Sequence, residues 1–558
     1  MPVPDLNEDI LTVVCDFLSD VSDVLAVSLT CSRFRPIAIR RLLAIRLVLL
    51  NGDASIRRFH AFLFADAPAR APLIRALDIQ YGSFHHPLQA GDATLFMEIV
   101  TMCHRLEHVT FGLPSSAMLA GHPNVIDAIA SIPNLRSLSI SSTAEDALAL
   151  VRNVRAPLRH LGLWCFYGDP EDEFNWYPAA FQDTLAHLEP SLEELGFHQL
   201  IVDPEKIREL RDSEDPGPLF SSWTQYPAVR SLSVNCFSGR LLLDPLQRLF
   251  PALDGRLSVG QVAVDNPEDT LADIRASNQL AQGNRDKNAS GDGSRSYAWR
   301  KLDSVVSSPV AFYLLGLRCP IRFVTLDAAD EYYGPEAVQR CIAESLRESP
   351  VPHLALCLVL HDGLAMLSGL PPPEVGGTLT HLTLALDAAC HWAPQAPFGW
   401  NELLDEIQSS LRPLRELTHL RIVFQSKSPA DREPDTDASV PPSLGERLAR
   451  TLHPSTFDFQ VIAVSLVRQL PSLRSLFLTT CGYFTRREHV GAVPVATNEL
   501  WCVSRAWNVA PSNTGADGRQ GGERMLVELR DEDAEAIIQR EELILPDSYK
   551  LWFTHTVD

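Results

Sequence analysis

The chain has 558 residues, 46% of them hydrophobic and 21% charged, the balance of an ordered protein long enough for several domains or one extended repeat array. Acidic residues outnumber basic ones 70 to 48, a formal charge of −22, which argues against nonspecific nucleic-acid binding and against docking on anionic membranes. Eleven cysteines are scattered without paired spacing, and neither a signal peptide nor a membrane-length apolar run is evident. A reduced intracellular location, cytoplasmic and/or nuclear, is expected.

The first predicted element is helical. Leu6, Ile10, Leu11, Val14, Phe17 and Leu18 recur at intervals of three and four and share one helix face. Asp5, with Glu8 three residues later, has capping-box spacing. A second helix is predicted from Ser22, carrying Val24, Leu25 and Leu29. A third should begin around 32–35, where Pro36 fits a first turn, and run through Ile37, Ile39 and Leu43. Its arginines, Arg33, Arg35, Arg40, Arg41 and Arg46, fit an exposed face. Three short helices have little interior of their own, and stripes this wide predict a partner surface.

Through Leu6, Asp9, Ile10, Leu11, Phe17, Leu18, Asp23, Val24, Leu25, Leu29, Cys31, Arg33 and Phe34 this stretch resembles an F-box. Asn7 stands where that family usually has Pro, and Phe34 lies near the place where Trp is common. Read from the residues alone, the same helices also suit a plain N-terminal cap on a larger domain.

From Ile45 a short pattern keeps returning: an aliphatic residue, two others, an aliphatic, one other, an aliphatic. It appears as Ile74/Leu77/Ile79, Leu106/Val109/Phe111, Leu135/Leu138/Ile140, Leu158/Leu161/Leu163, Leu192/Leu195/Phe197 and Val229/Leu232/Val234. After a gap it resumes as Ile321/Val324/Leu326, Val351/Leu354/Leu356, Leu379/Leu382/Leu384, Leu417/Leu420/Ile422 and Leu473/Leu476/Leu478. The alternation at each copy's end predicts a strand with one buried face. Helix-like stretches at 93–104, 124–132, 145–154 and 458–470 separate the copies. One strand plus one returning helix is the leucine-rich-repeat plan.

The expected fold class is therefore α/β: a three-helix F-box at 1–44, then an irregular leucine-rich-repeat solenoid at 45–500 with a parallel sheet on its concave face. Insertions near 278–297 and 425–442 are too polar for burial and are expected to be exposed. The segment 501–558, with a loop at 508–522, is expected to cap the far end through Trp501, Trp507 and a helix at 531–543.

Signatures of chemistry are missing. No phosphate loop, dinucleotide fingerprint, His-Glu-x-x-His or nucleophile elbow is present. Cys103, His104 and His108 are ligand types, but His108 falls in a strand copy, so convergence is not expected. Neither a cofactor nor a metal is anticipated. His108, His160, His353, His381 and His419 share one repeat position, immediately before the middle aliphatic residue. That position points away from the core, towards the open face. The copies holding His353, His381 and His419 are consecutive, which predicts a histidine ladder suited to sensing pH or holding an acidic segment; backbone-bonded packing imidazoles are the simpler expectation. Ser137, Ser139, Trp164, His198, Ser233, Asn235, Thr325, Asp327, Thr383 and Arg421 are further residues expected on that face, with Trp164 a candidate anchor.

An F-box followed by leucine-rich repeats resembles the non-catalytic substrate receptors of cullin–RING ubiquitin ligases, especially the divergent families of fungi. The resemblance implies that Leu6, Ile10, Leu11, Phe17, Leu18, Leu25 and Leu29 pack on a Skp-family adaptor and, through it, a cullin. Trp164, His198, Asn235, His353, His381, His419 and Arg421 are then candidates for contacting an unidentified target. A repeat scaffold without a ligase role, or an enzyme whose residues the repeats assemble from afar, are the alternatives.

Overall fold

The computed structural model describes residues 7–18, 20–45, 47–80, 88–112, 119, 121–141, 145–164, 184–201, 224–238, 241–263, 267–289, 299–328, 333–360, 363–387, 398–427, 444–490, 493–510 and 524–545. Among them no helix is long and apolar enough to cross a membrane. Two compact units emerge, 1–240 with 245–253 and 241–244 with 254–558. Their boundary falls inside the stretch expected to form one array.

Three helices open the first unit. α1 (Glu8–Asp16) is capped by Asn7, whose side-chain oxygen accepts from the Asp9 amide at 3.4 Å. The cap expected of Asp5 thus falls to the residue adjoining the first turn. α2 (Val21–Thr30) begins one residue before Ser22 because Asp20 caps it, accepting from the Ser22 amide at 2.6 Å. α3 (Phe34–Ile45) takes Pro36 in its first turn, as the sequence requires. Leu11, Cys15, Phe34 and Ile37 form a small buried core, with Val27 and Cys31 packed on it. Arg41 donates from Nε and Nη2 to the Leu18 carbonyl at 3.2 and 3.1 Å, placing a cation where a helix end leaves carbonyls unpaired.

Strands β1 (Val48–Leu50), β2 (Ala76–Ile79), β3 (His108–Phe111), β4 (Ser137–Ile140), β5 (His160–Leu163), β6 (Glu194–Ile201) and β7 (Ser231–Ser238) follow in chain order, each parallel to the next. The pairing aligns the repeats anchor for anchor. Leu77, Val109, Leu138, Leu161, Leu195 and Leu232 are partners across strands, as are Ile79, Phe111, Ile140, Leu163, Phe197 and Val234. All are buried. Each such side chain contributes about 1.5–3 kcal/mol on leaving water, so the ladder of anchors is what holds the register. The helices predicted between copies form at Ala90–Met102, Pro123–Ala130 and Glu145–Asn153.

In the second unit β8 (Arg256–Ala263), β9 (Leu302–Ser307), β10 (Ile321–Asp327), β11 (His353–Val359), β12 (His381–Asp387), β13 (His419–Lys427) and β14 (Ser475–Val490) again run parallel in chain order. β15 (Val493–Ala510) and β16 (Met525–Glu528) turn antiparallel. Trp501 and Trp507 are buried in β15, so a hairpin of strands, rather than a helix, continues the sheet beyond its last parallel strand.

Three expectations for this unit need correction. Residues 278–289 are not a loop: they continue the helix Pro267–Ala289, in which Asn278 is 2% exposed, while 290–297 lie outside the described residues. Its amide donates to the carbonyls of Leu241 and Leu314 at 2.9 and 2.8 Å and accepts from the Leu243 amide at 2.8 Å, so a polar residue is buried because it satisfies three backbone groups. Gln425 and Ser426, read as the start of a loop, are buried in β13, and Asn508–Ala510 belong to β15. The expected C-terminal helix forms at Asp531–Arg540 and packs on Phe477 of β14 and Ala506 of β15. With the residues after it, it lies across the sheet face opposite the anchor leucines.

Candidate functional site

The N-terminal helices use only part of their apolar surface. Leu11 is 1% exposed, so it holds the three helices together and is not free to contact an adaptor as expected. Ile10, Phe17, Leu25 and Leu29 do remain exposed, Phe17 at 83% and Leu29 at 85%, beside Val13 and Val14. Leu18 is half-buried, and Leu6 lies outside the described residues. α1 is thus apolar on two sides, one facing its own core and one facing outward.

In the second unit the strand register delivers the histidine ladder. His353 pairs with His381 and His381 with His419 across β11, β12 and β13. The first two rings stack with centroids 3.9 Å apart, the second two at 4.4 Å and only 5° from parallel, close to the spacing of neighbouring strands. His108 and His160, in the same slot of the first unit, are separated by Ser137 on β4 and form no such stack. His160 instead has Glu194 at 3.7 Å.

The face bearing the ladder is not open. Cys357, Ala385, Val423 and Cys481 are buried on it under Leu545, and Phe477 and Ala506 under Leu543. Ala534, Ile537 and Ile538 of the C-terminal helix pack alongside. Polar contacts follow the same path. Arg421 donates to the Leu543 carbonyl at 2.6 Å, and His381 Nε2 faces Glu541 Oε2 at 3.2 Å. Arg322 of β10 joins Asp303 of β9 to Glu542. Thr325 and Thr383, expected on an accessible face, are buried. An acidic segment does lie against the ladder, and it is the chain's own. His353, His381, His419 and Arg421 are therefore internal contacts in this conformation, which corrects their reading as open target contacts.

Burial sets the charge state of the ladder. Loss of solvation, reinforced by the neighbouring His381, pushes His353 and His419 down to about 4. His381 is lowered by burial too, against the opposing pull of Glu541. Arg540, and then His381, hold the Glu541 carboxyl below its ordinary range. His353 and His419 are therefore neutral near pH 7 and titrate below the window expected of a physiological pH sensor.

On the first unit, Trp164 lies down over the sheet. Its Nε1 donates to Ser139 Oγ on β4 at 2.9 Å. A Cβ added at Gly162 or Gly196, on β5 and β6, would come within 2.5 and 3.0 Å of the indole, so two glycines make the socket that accepts it. Asn235 is exposed on β7; His198 is on β6, with its side chain outside the described residues.

Among the described residues, His381, His419 and Glu541 are the one group of three ligand-type side chains whose donor atoms gather, all within 4.8 Å of one another. Cys103, His104 and His108 do not form such a group. Glu541 was missed because nothing local in the sequence places it on β12. His381 and His419 are marked in the sequence by their shared repeat position, and the Thr-His-Leu run at 380–382 and 418–420 sets the two apart from the other copies. No protein-family model and no curated protein matches the sequence.

Proposed function

We propose that this chain is the substrate-recognition subunit of an SCF-type ubiquitin ligase, binding a Skp-family adaptor through its N-terminal helices and a target protein through its repeats. The observation that carries the reading is the outward apolar surface of α1 and α2. Phe17 and Leu29 are almost fully exposed, although Leu11, Cys15, Phe34 and Ile37 already supply an inner core. Large apolar side chains left in water on short helices are the signature of a partner interface. The resemblance of this stretch to an F-box names the partner class.

The chain itself would make and break no bonds. Its contribution is proximity, raising the target's concentration at the ubiquitin donor. With the face of the second unit closed by the C-terminal segment, the first unit offers the target surface, where Trp164 supplies an aromatic platform and Asn235 an exposed polar contact. Co-purification with a Skp-type adaptor tests the reading. Capture is expected with the native chain and lost in Phe17→Asp and Leu29→Asp; a native chain that captures no adaptor leaves a repeat scaffold as the function.

A further inference from the structure

We propose that His381, His419 and Glu541 bind a divalent transition-metal ion of the zinc class, which fastens the C-terminal segment to β12 and β13. Their donor atoms lie within 4.8 Å of one another, and turning the two imidazoles out of their parallel stack would bring both ring lone pairs and the carboxylate onto one ion. Two imidazoles and a carboxylate suit zinc. Calcium and magnesium call for oxygen ligands.

The hydrogen bonds around the rings bear on which nitrogen is available. Thr380 Oγ1 lies 3.1 Å from the Pro352 carbonyl and 2.8 Å from His381 Nδ1. Thr418 Oγ1 lies 3.0 Å from the Thr380 carbonyl and 2.9 Å from His419 Nδ1. The two carbonyls also accept backbone N–H bonds, and each hydroxyl has one proton to give; in the tautomer that suits an ion the hydroxyl donates to the carbonyl and accepts from the imidazole Nδ1–H. The lone pair of each neutral ring is then on Nε2. His381 Nε2 stands 3.2 Å from Glu541 Oε2, a contact that an Nε2–H satisfies in one tautomer and a bound cation in the other. Glu541 Oε1 is turned to Arg540 Nε at 2.8 Å, leaving Oε2 for that cation.

Metal-bound histidines commonly donate their other N–H to an oxygen in this manner, which fixes tautomer and ring orientation. Here the arrangement is built twice, by the same Thr-His pair in consecutive copies. His353 follows Pro352 instead of a threonine, and its Nδ1 has no hydrogen-bond partner among the described residues; it stacks on the pair but is not one of the three ligands. Three protein ligands leave one position for water or an incoming group. The inference is independent of the adaptor reading.

The test is a titration of the full-length chain after chelator treatment, with Co²⁺ as the optical probe and Zn²⁺ as its competitor. One ion per chain is expected, with a low-symmetry visible absorption band that Zn²⁺ abolishes. His419→Gln and Glu541→Gln should each weaken binding by at least about 100-fold, and the double change Thr380→Val with Thr418→Val by at least about 10-fold, since outer-sphere partners of this kind are worth 10- to 100-fold. His108→Gln and His160→Gln, in the same repeat slot of the other unit, should bind as the native chain does. Glu541→Gln removes a charge from a partly exposed side chain, and circular dichroism of the metal-free variant checks that it folds. A native chain that takes up no stoichiometric ion overturns the proposal, as does uptake left unchanged by both His419→Gln and Glu541→Gln.

Discussion

Arg322 and Glu542, 220 residues apart in sequence, meet through a two-point guanidinium–carboxylate contact while the same guanidinium grips Asp303 at 2.7 and 3.0 Å. The pair marks where the C-terminal segment lands on the sheet, but it is not what holds the segment there. Arg322 and Glu542 are 42% and 36% exposed, and ion pairs so open to water contribute under about 1 kcal/mol. Leu543 and Leu545 are buried, and truncating such a leucine costs about 2–5 kcal/mol. Leu543→Ala should therefore release the segment, seen as loss of amide-exchange protection across 531–545, whereas Arg322→Ala should leave protection nearly intact. The reverse order would show that charge, not burial, closes this face.

The Asp303 carboxylate gives the second unit an acid-side dependence. Its hydrogen bonds from Arg322, aided by the charges of Arg322 and Lys301, hold the carboxyl below the ordinary aspartate value against the opposing effect of burial. A carboxyl depressed in the folded state stabilises fully above its unfolded value, about 4, and that stabilisation fades as pH falls through the lower folded value. Native protein should accordingly be more stable than Asp303→Asn at about pH 6, and the gap should narrow at a pH well below the unfolded value. Urea titrations of the second unit's transition at the two pH values measure it. A gap that does not change with pH would assign the residue no ionic role.

Asn278 should be far more sensitive to substitution than a polar helix residue usually is. Asn278→Ala leaves two carbonyls and one amide of separate segments without their partner in a buried site. Each buried group left unpaired costs about 1–3 kcal/mol, so the loss should reach several kcal/mol, beyond the usual range for a single change. Thermal unfolding of the second unit, followed calorimetrically, reads it directly. A loss under about 1 kcal/mol would mean that water replaces the amide.

Trp164 depends on two missing side chains. Gly162→Ala places a Cβ where the indole now sits, so the ring should leave the face and its bond to Ser139 should break. The change should move one indole N–H resonance in the NMR spectrum and lower any affinity for a target bound on the first unit. Trp164→Phe, which removes that resonance, assigns it.

The repeat skeleton was legible because eleven copies of one spacing each supplied a strand, and the structure places their anchors in register. β9 escaped notice because its third anchor position holds Ser307, paired with Leu326 of β10. β8 escaped because Asp254 stands where the first anchor would be, three residues before Leu257, which pairs with Val305. The closed face was also written in the sequence. β4 and β5 read Ser-Leu-Ser-Ile and His-Leu-Gly-Leu, alternating as one-sided strands do. β11 reads His-Leu-Ala-Leu-Cys-Leu-Val, apolar at both parities, the mark of a strand buried on both faces. What no local pattern carried is the occupant. Glu541 and Leu543 reach the ladder only through tertiary packing.

The two apolar sides of α1 make opposite predictions. Leu11 is a core residue, so Leu11→Ala should cost about 2–5 kcal/mol and strip exchange protection from α1 and α3. Phe17 is 83% exposed, so Phe17→Ser should change stability by no more than about 0.5 kcal/mol. Adaptor capture separates the readings of this surface. If the outward side chains form an interface, Phe17→Ser must weaken capture with protection unaltered, because it removes contact area and nothing structural. If only Leu11→Ala weakens capture, the adaptor is responding to the fold of the helices and not to their exposed leucines and phenylalanine. If Phe17→Ser lowers protection as well, the ring is packed within the chain and the helices are a cap.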